Sequence, residues 1–145
     1  MAATFNKFQD FVEQLGLAKH QLNTDQLNIT LTDAAPVATN TILSNITQIS
    51  GTNGYTTNGS DSTNTWAETT GTATLTGTKV VFTCVTGPMG PFRYVVLHNE
   101  TQVTSPVRPL VGWWDYAAEV TLQIGETFSV KFNSSDTTGS ILTLT

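Results

Sequence analysis

In Leu27–Thr32, LNITLT, apolar and polar residues alternate without a break. Leu27, Ile29 and Leu31 point one way, Asn28, Thr30 and Thr32 the other. A strict period of two cannot give a helix one apolar face, so the stretch predicts a strand with one side turned to a core. The same period returns in EVTLQIGETFSVKF, as Val120, Leu122 and Ile124 before Gly125 and Phe128, Val130 and Phe132 after it. TATLTG and KVVFTCVT, separated by a few residues including Gly77, predict a hairpin. FRYVVLHN has apolar residues on both faces (Phe92, Tyr94 and Val96 against Val95 and Leu97), which predicts a central strand covered on both sides. With the closing GSILTLT, these short runs and the turn signals between them describe a mainly β chain. The expected architecture is an antiparallel β-sandwich or small barrel with one N-terminal α-helix.

That helix is read from Phe5, Phe8, Val12 and Leu15, a stripe at spacings of three and four with Phe11 beside it. It is expected over about residues 4–20, with Thr4 as its cap and Gly16 weakening its end. The β region follows over about 26–145. A Pro-containing connection leads to a short strand around Asn45–Ile49. The stretch from about 51 to 71 is polar, with Asn53-Gly54 and Asn58-Gly59 as turn signals. It reads as a long exposed excursion, anchored by Tyr55 and Trp66. ETQVTSPVRP reads as a second exposed loop. At 145 residues the chain is expected to form one domain.

Charged residues make up 12% of the chain, well under the roughly 25% usual for soluble proteins. Thr, Asn, Ser and Gly supply the polarity instead, which suits strands, turns and a surface that lies against other protein. A net charge of −5 with only six scattered basic residues argues against nucleic acid as a partner. No run approaches the ~20 apolar residues of a membrane span. Asp10 and Glu13 interrupt the opening where an export signal needs an apolar core, so synthesis in a cytoplasm is expected. Cys84 is the only cysteine, and its setting, VVFTCVT, predicts a buried, inert thiol.

Nothing in the sequence carries a catalytic signature. His20 and His98 are far apart, and no nucleophile elbow, phosphate-cradling glycine loop or HExxH pair is present. Asp115 and Glu119 are close enough to be weighed as paired carboxylates, and Asp61 in NGSDSTN as a calcium ligand. Neither has the accompanying residues such chemistry needs, and no metal or cofactor is expected. Sequons at Asn28, Asn45, Asn58, Asn99 and Asn133 are those of a chain rich in Asn and Thr, and Asn28 falls inside a strand. The informative stretch is LVGWWDY, Leu110–Tyr116. Adjacent strand residues face opposite ways, so Trp113 and Trp114 cannot both meet one ligand unless a bulge intervenes. One ring is expected in the core and the other on an outer face. Gly112 before them suggests a bulge or a close backbone approach.

FNKFQDFVEQLG followed by LNITLTDAAPVATNTILSNITQI resembles small virion structural proteins encoded by tailed bacteriophages. The likeness continues in GPFRYVVLHN, LVGWWDYAAEVTLQIGETFSVKF and GSILTLT, and so covers nearly the whole chain. It implies a non-enzymatic particle component made in the bacterial host cytoplasm. The expectation is a capsid decoration (cement) protein on the exterior of the virion head. Its partners would be the major capsid protein and itself, with a homotrimer as the expected oligomer. Phe5, Phe8, Arg93, Trp113, Trp114 and Tyr116 are the interface candidates. A tail or neck component, and a host-glycan-binding module using the WWDY aromatics, are the alternatives.

Overall fold

A computed structural model describes residues 3–145 of the chain. Its strands are β1 (Asn6–Lys7), β2 (Leu27–Thr32), β3 (Ser60–Asp61), β4 (Thr65–Thr69), β5 (Thr72–Gly77), β6 (Val80–Thr83), β7 (Met89–Asn99), β8 (Leu110–Leu122), β9 (Thr127–Val130) and β10 (Gly139–Leu144). One α-helix, α1 (Phe11–Gly16), and one 3₁₀ turn (Leu43–Asn45) accompany them. The fold is mainly β with antiparallel sheets, and no closed barrel forms among the described residues.

The first sheet has the order β1-β8-β7-β2-β3. The second layer is built from two broken strands lying side by side. β5 and β6 follow one another in the chain without pairing with each other, while β10 pairs with β5 and β9 with β6, both antiparallel. The segment between β9 and β10 loops out, and β4 closes the far side of β5. Leu27, Ile29, Leu31, Val95 and Leu97 of the first sheet meet Leu75, Val80, Phe82 and Ile141 of the second in the main core. The back of the first sheet carries a second, smaller core of Phe8, Leu43, Ile46, Val96 and Leu110.

The expected central strand is central: β7 lies between β8 and β2, with a core on each side. β2 departs from its alternation, because all six residues are buried. Its polar face is satisfied by hydrogen bonds instead of water. Asn28 Nδ2 donates to Asn58 O at 3.0 Å, Thr30 Oγ1 to Val96 O at 3.3 Å, and Thr32 Oγ1 to Thr47 O at 2.6 Å.

Four expectations are corrected. The helix spans Phe11–Gly16, not residues 4–20, and Asp10 rather than Thr4 stands at its N-cap. Phe5 and Phe8 flank an edge strand, and a spacing of three there places side chains on opposite faces. Phe5 accordingly packs on the main core and Phe8 belongs to the smaller one. Val12 of the expected stripe is exposed, and Phe11 is the buried residue. The expected β5–β6 hairpin does not form, because β5 pairs with β4 and β10 and β6 with β9. Asn45–Ile49 is no strand; Asn45 Oδ1 instead accepts from the Thr41 and Ile42 N–H groups and holds the 3₁₀ turn. The stretch 51–71 is less of an excursion than expected, since it contributes β3 and β4. Its anchors hold nonetheless: Tyr55 is buried, and Trp66 is half-buried against the main core.

Candidate functional site

Leu97 pairs with Gly112 but His98 with Leu110, so the ladder between β7 and β8 carries a bulge at Val111. Gly112 is required there by packing. A Cβ on it would run into the Phe5 ring and lie 2.8 Å from Asn6 O. Past the bulge, Trp113 pairs with Val96 and Trp114 with Val95, so the two indoles stand on opposite faces of the sheet.

Neither ring is the bare outer tryptophan the sequence suggested; both are half-buried. Trp113 lies on Phe8, ring centroids 4.5 Å apart, over the smaller core. Phe8 is 0% exposed, so it supports Trp113 and offers no surface to a partner. Trp114 sits between Phe5 (5.2 Å) and Phe132 (5.8 Å). Tyr116, two residues on and on the same face, meets Phe128 edge-on at 5.3 Å, and Phe128 meets Phe92 at 4.9 Å. Tyr116 is 52% exposed.

These rings line an open groove of about 650 Å³ between β8 on one side and β9 and β10 on the other. The groove exists because both sheets end there. β1 pairs with β8 only at Gly112 and Trp113, and β9 pairs only with β6. Of the interface candidates, the structure brings Phe5, Trp114 and Tyr116 together in this groove. Phe8 and Trp113 lie on the other face.

Arg93 is placed beside the groove's strand by an ion pair. Its Nε and Nη2 each donate to an Asp115 carboxylate oxygen at 2.8 Å. Asp115 Oδ1 also accepts from Ala117 N–H at 2.7 Å, where φ is +67° and β8 bulges again. The Arg93 hydrogen bonds, helped by the Ala117 N–H, hold the Asp115 carboxyl below its usual range. A general acid needs the opposite shift, so this geometry does not prepare Asp115 for proton donation with Glu119.

A second polar cluster lies at the other end of β7 and β8. Buried His98 approaches Glu100 Oε2 with Nε2 at 3.0 Å, and Arg108 Nε donates to the same oxygen at 2.8 Å. With Glu100 ionised and the imidazole neutral, Nε2 carries the proton, and Nδ1 has no partner among the described residues. Burial lowers the His98 pKa against the upward pull of Glu100. Burial acts upward on Glu100, but the bonds to His98 and Arg108 outweigh it and bring the carboxyl to about 2. A smaller cavity of about 280 Å³, lined by Leu43, Ile46, Asn58, Val107 and Arg108, opens nearby.

His20, distant from His98 in sequence, comes close to its neighbour: Asn99 Nδ2 lies 3.4 Å from His20 Nδ1 and donates to Asp25 Oδ2 at 2.6 Å. Burial lowers the His20 pKa to about 4, against weaker upward pulls from Asp25 and Asp10. Asp61 Oδ1 accepts from Thr63 N–H in a turn. Among the described residues no group of three or more His, Cys, Asp or Glu side chains is placed to hold a metal ion. Cys84 is buried, with its thiol donating to Gly87 O at 2.6 Å.

Sequence reasoning missed Phe128 and Phe132 as site residues. Their alternation was legible, but alternation assigns a face and does not say that the strand beside it is missing. Comparison of the chain with family models, with curated proteins and with solved structures found no match.

Proposed function

We propose that the chain is a non-enzymatic structural component of a tailed-bacteriophage virion, a decoration protein that binds and stabilises the exterior of the head. The observation that carries the reading is the open groove. Five aromatic rings, Phe5, Trp114, Tyr116, Phe128 and Phe132, line one surface where two sheets end without closing. Exposed aromatic surface of this kind is characteristic of interaction sites, and Trp and Tyr are the residues that most often anchor them. The low content of charge fits the same use, because few charged groups need to be desolvated on docking. The resemblance of the sequence to small virion structural proteins supports the major capsid protein as partner, with further copies of the chain itself as a trimer at capsid three-fold positions.

In that role the protein acts by area. Each copy bridges neighbouring shell subunits and adds buried surface that resists outward genome pressure. Particle stoichiometry tests the assignment. A decoration protein is present on the order of hundreds of copies, as shell symmetry requires; a tail or neck component numbers about a dozen or fewer. Particles stripped of the protein should release DNA at lower temperature, and unchanged release contradicts a cement role.

A second reading has its own observation. Trp114 and Tyr116 share a face and a groove, which the Trp113–Trp114 pair does not. Two rings on one surface suit the apolar face of a sugar, so a host-glycan-binding module remains the alternative. Adsorption to host cells by intact particles carrying Trp114→Ala and Tyr116→Ala decides it: unchanged adsorption removes the glycan reading.

A further inference from the structure

One wall of the groove has a distinctive make-up. The three consecutive β9 residues Phe128, Ser129 and Val130 all line it, followed by residues 131–134 of the next loop, whereas a strand seen face-on contributes only alternate residues. The groove therefore runs along the free edge of β9. Hydrogen bonds identify which main-chain groups lie on that edge. Gly125, at φ +87°, donates to Cys84 O, and Cys84 N–H donates to Glu126 O, a glycine bulge that pairs Glu126 with Cys84. Along the ladder Phe82 faces Phe128 and Val80 faces Val130. Alternation then directs the main-chain groups of Phe128 and Val130 into the ladder and those of Thr127 and Ser129 out of it. No hydrogen bond from the described residues reaches the outward N–H and C=O groups of Thr127 and Ser129.

The groove is also matched in charge to a neutral occupant. Lys131 is the one charged side chain among its lining residues, and it is paired at 2.6 Å with Asp136, which Lys79 also approaches at 3.2 Å. A channel with a single, ion-paired charge, bounded by rings and by an unpaired strand edge, suits an extended polypeptide. Its main chain completes the ladder, and its alternate side chains enter between the rings. A sugar would use the rings but not the repeat of the strand edge.

We propose that β9 receives an added strand: an extended, uncharged segment of the partner polypeptide pairs with Thr127 and Ser129 and places alternate side chains among Trp114, Tyr116 and Phe128. That the segment comes from a shell subunit rests on the decoration reading above; the pairing mode rests on the strand edge.

Ser129→Pro removes one outward N–H while leaving the hydrogen bonds to β6 in place, and proline is tolerated at such edge positions. The test uses stripped particles of the encoding phage as binding partner, with the full-length chain and its Ser129→Pro variant. Rebinding is measured by co-sedimentation, and amide hydrogen exchange is measured on free and bound wild-type chain. Thermal unfolding within about 2 °C of wild type establishes that the variant is folded. The expected result is at least about tenfold weaker rebinding by Ser129→Pro, and at least about tenfold slower exchange at Thr127 and Ser129 on binding. Should the variant fail to fold, the exchange measurement on the wild-type chain decides alone. Wild-type binding without protection of those two amides, or equal rebinding by a folded variant, overturns strand addition and leaves the decoration reading standing. Failure of the wild-type chain to rebind removes the decoration reading and the shell-derived segment with it. A free chain that sediments as a dimer, and as a monomer after Ser129→Pro, gives the edge to a second copy and also overturns the proposal.

Discussion

The two tryptophans of LVGWWDY are neighbours in sequence and stand on two very different surfaces. On the Trp113 side the sheet is closed: Phe8, just after β1, packs with Leu43 of the 3₁₀ turn, Ile46 and Leu110 in a small core against the indole. On the Trp114 side the sheet is open: Phe5, Tyr116, Phe128 and Phe132 line a groove at the unpaired edges of β8 and β9. Strand alternation produces both environments from one dipeptide. The difference between them is supplied by what the rest of the chain brings to each face. A closed face contributes stability, and the open one leaves aromatic surface uncovered.

If that division is correct, truncation should cost stability on one side and binding on the other. The largest expected effect is that of Phe8→Ala, which leaves a cavity under Trp113 and should cost about 3–5 kcal/mol in denaturant unfolding. A cost below about 1 kcal/mol would show that the closed side is no core.

Acid should act through the buried histidines and the Glu100 carboxylate. The folded pKa of His20 is about 4 against an ordinary 6.5, and that of His98 is also lowered, so the unfolded chain binds more protons as pH falls. Their contribution is full above about pH 6.5 and is lost progressively toward pH 4, with His20 accounting for up to about 3 kcal/mol. Glu100, held at about 2 against an ordinary 4.5, adds a further loss below pH 4.5. Unfolding free energies that stay level between pH 7 and 4 would contradict this arrangement.

Gly112→Ala sits on the boundary between the two sides. The added methyl collides with the Phe5 ring and the Asn6 carbonyl, and a cost of about 1–3 kcal/mol is expected. Shortening Phe5 to alanine in the same chain should recover part of that cost, since the ring is the nearest obstacle. The smallest effect on folding belongs to Tyr116→Ala. With half of its surface already exposed, it should cost less than about 1 kcal/mol. Its effect should appear in partner binding, and a loss of stability as large as that of Phe8→Ala would erase the distinction between the faces.

Much of this fold was legible from the period of two. The strands in LNITLT, FRYVVLHN and GSILTLT, the split of the tryptophans, and the bulge or close approach at Gly112 all followed from local pattern. What misled was the spacing of Phe5 and Phe8. Three residues apart is one face of a helix and two faces of a strand, and only the edge of β8 decides between them. Pairing across the second layer was hidden for a related reason. TATLTG and KVVFTCVT look like hairpin arms, but β5 pairs with β4 just before it and with β10, and β6 with β9, the last two from the far end of the chain. The His98–Glu100–Arg108 cluster left no spacing signal, because loop geometry brings Arg108 back to Glu100. The groove was invisible for a deeper reason: it is made by edges that lack a neighbour, and an absence of pairing leaves no pattern in the residues.

The proposed decoration role is tested most directly by a density map, traced at main-chain resolution, of a tailed-phage virion containing this chain. The protein is expected on the outer surface of the head, repeated with the shell lattice, with the groove of Trp114, Tyr116 and Phe128 against a shell subunit and the Trp113 side turned away from it. A head surface without this chain, or a bound chain whose groove faces solvent, would contradict it.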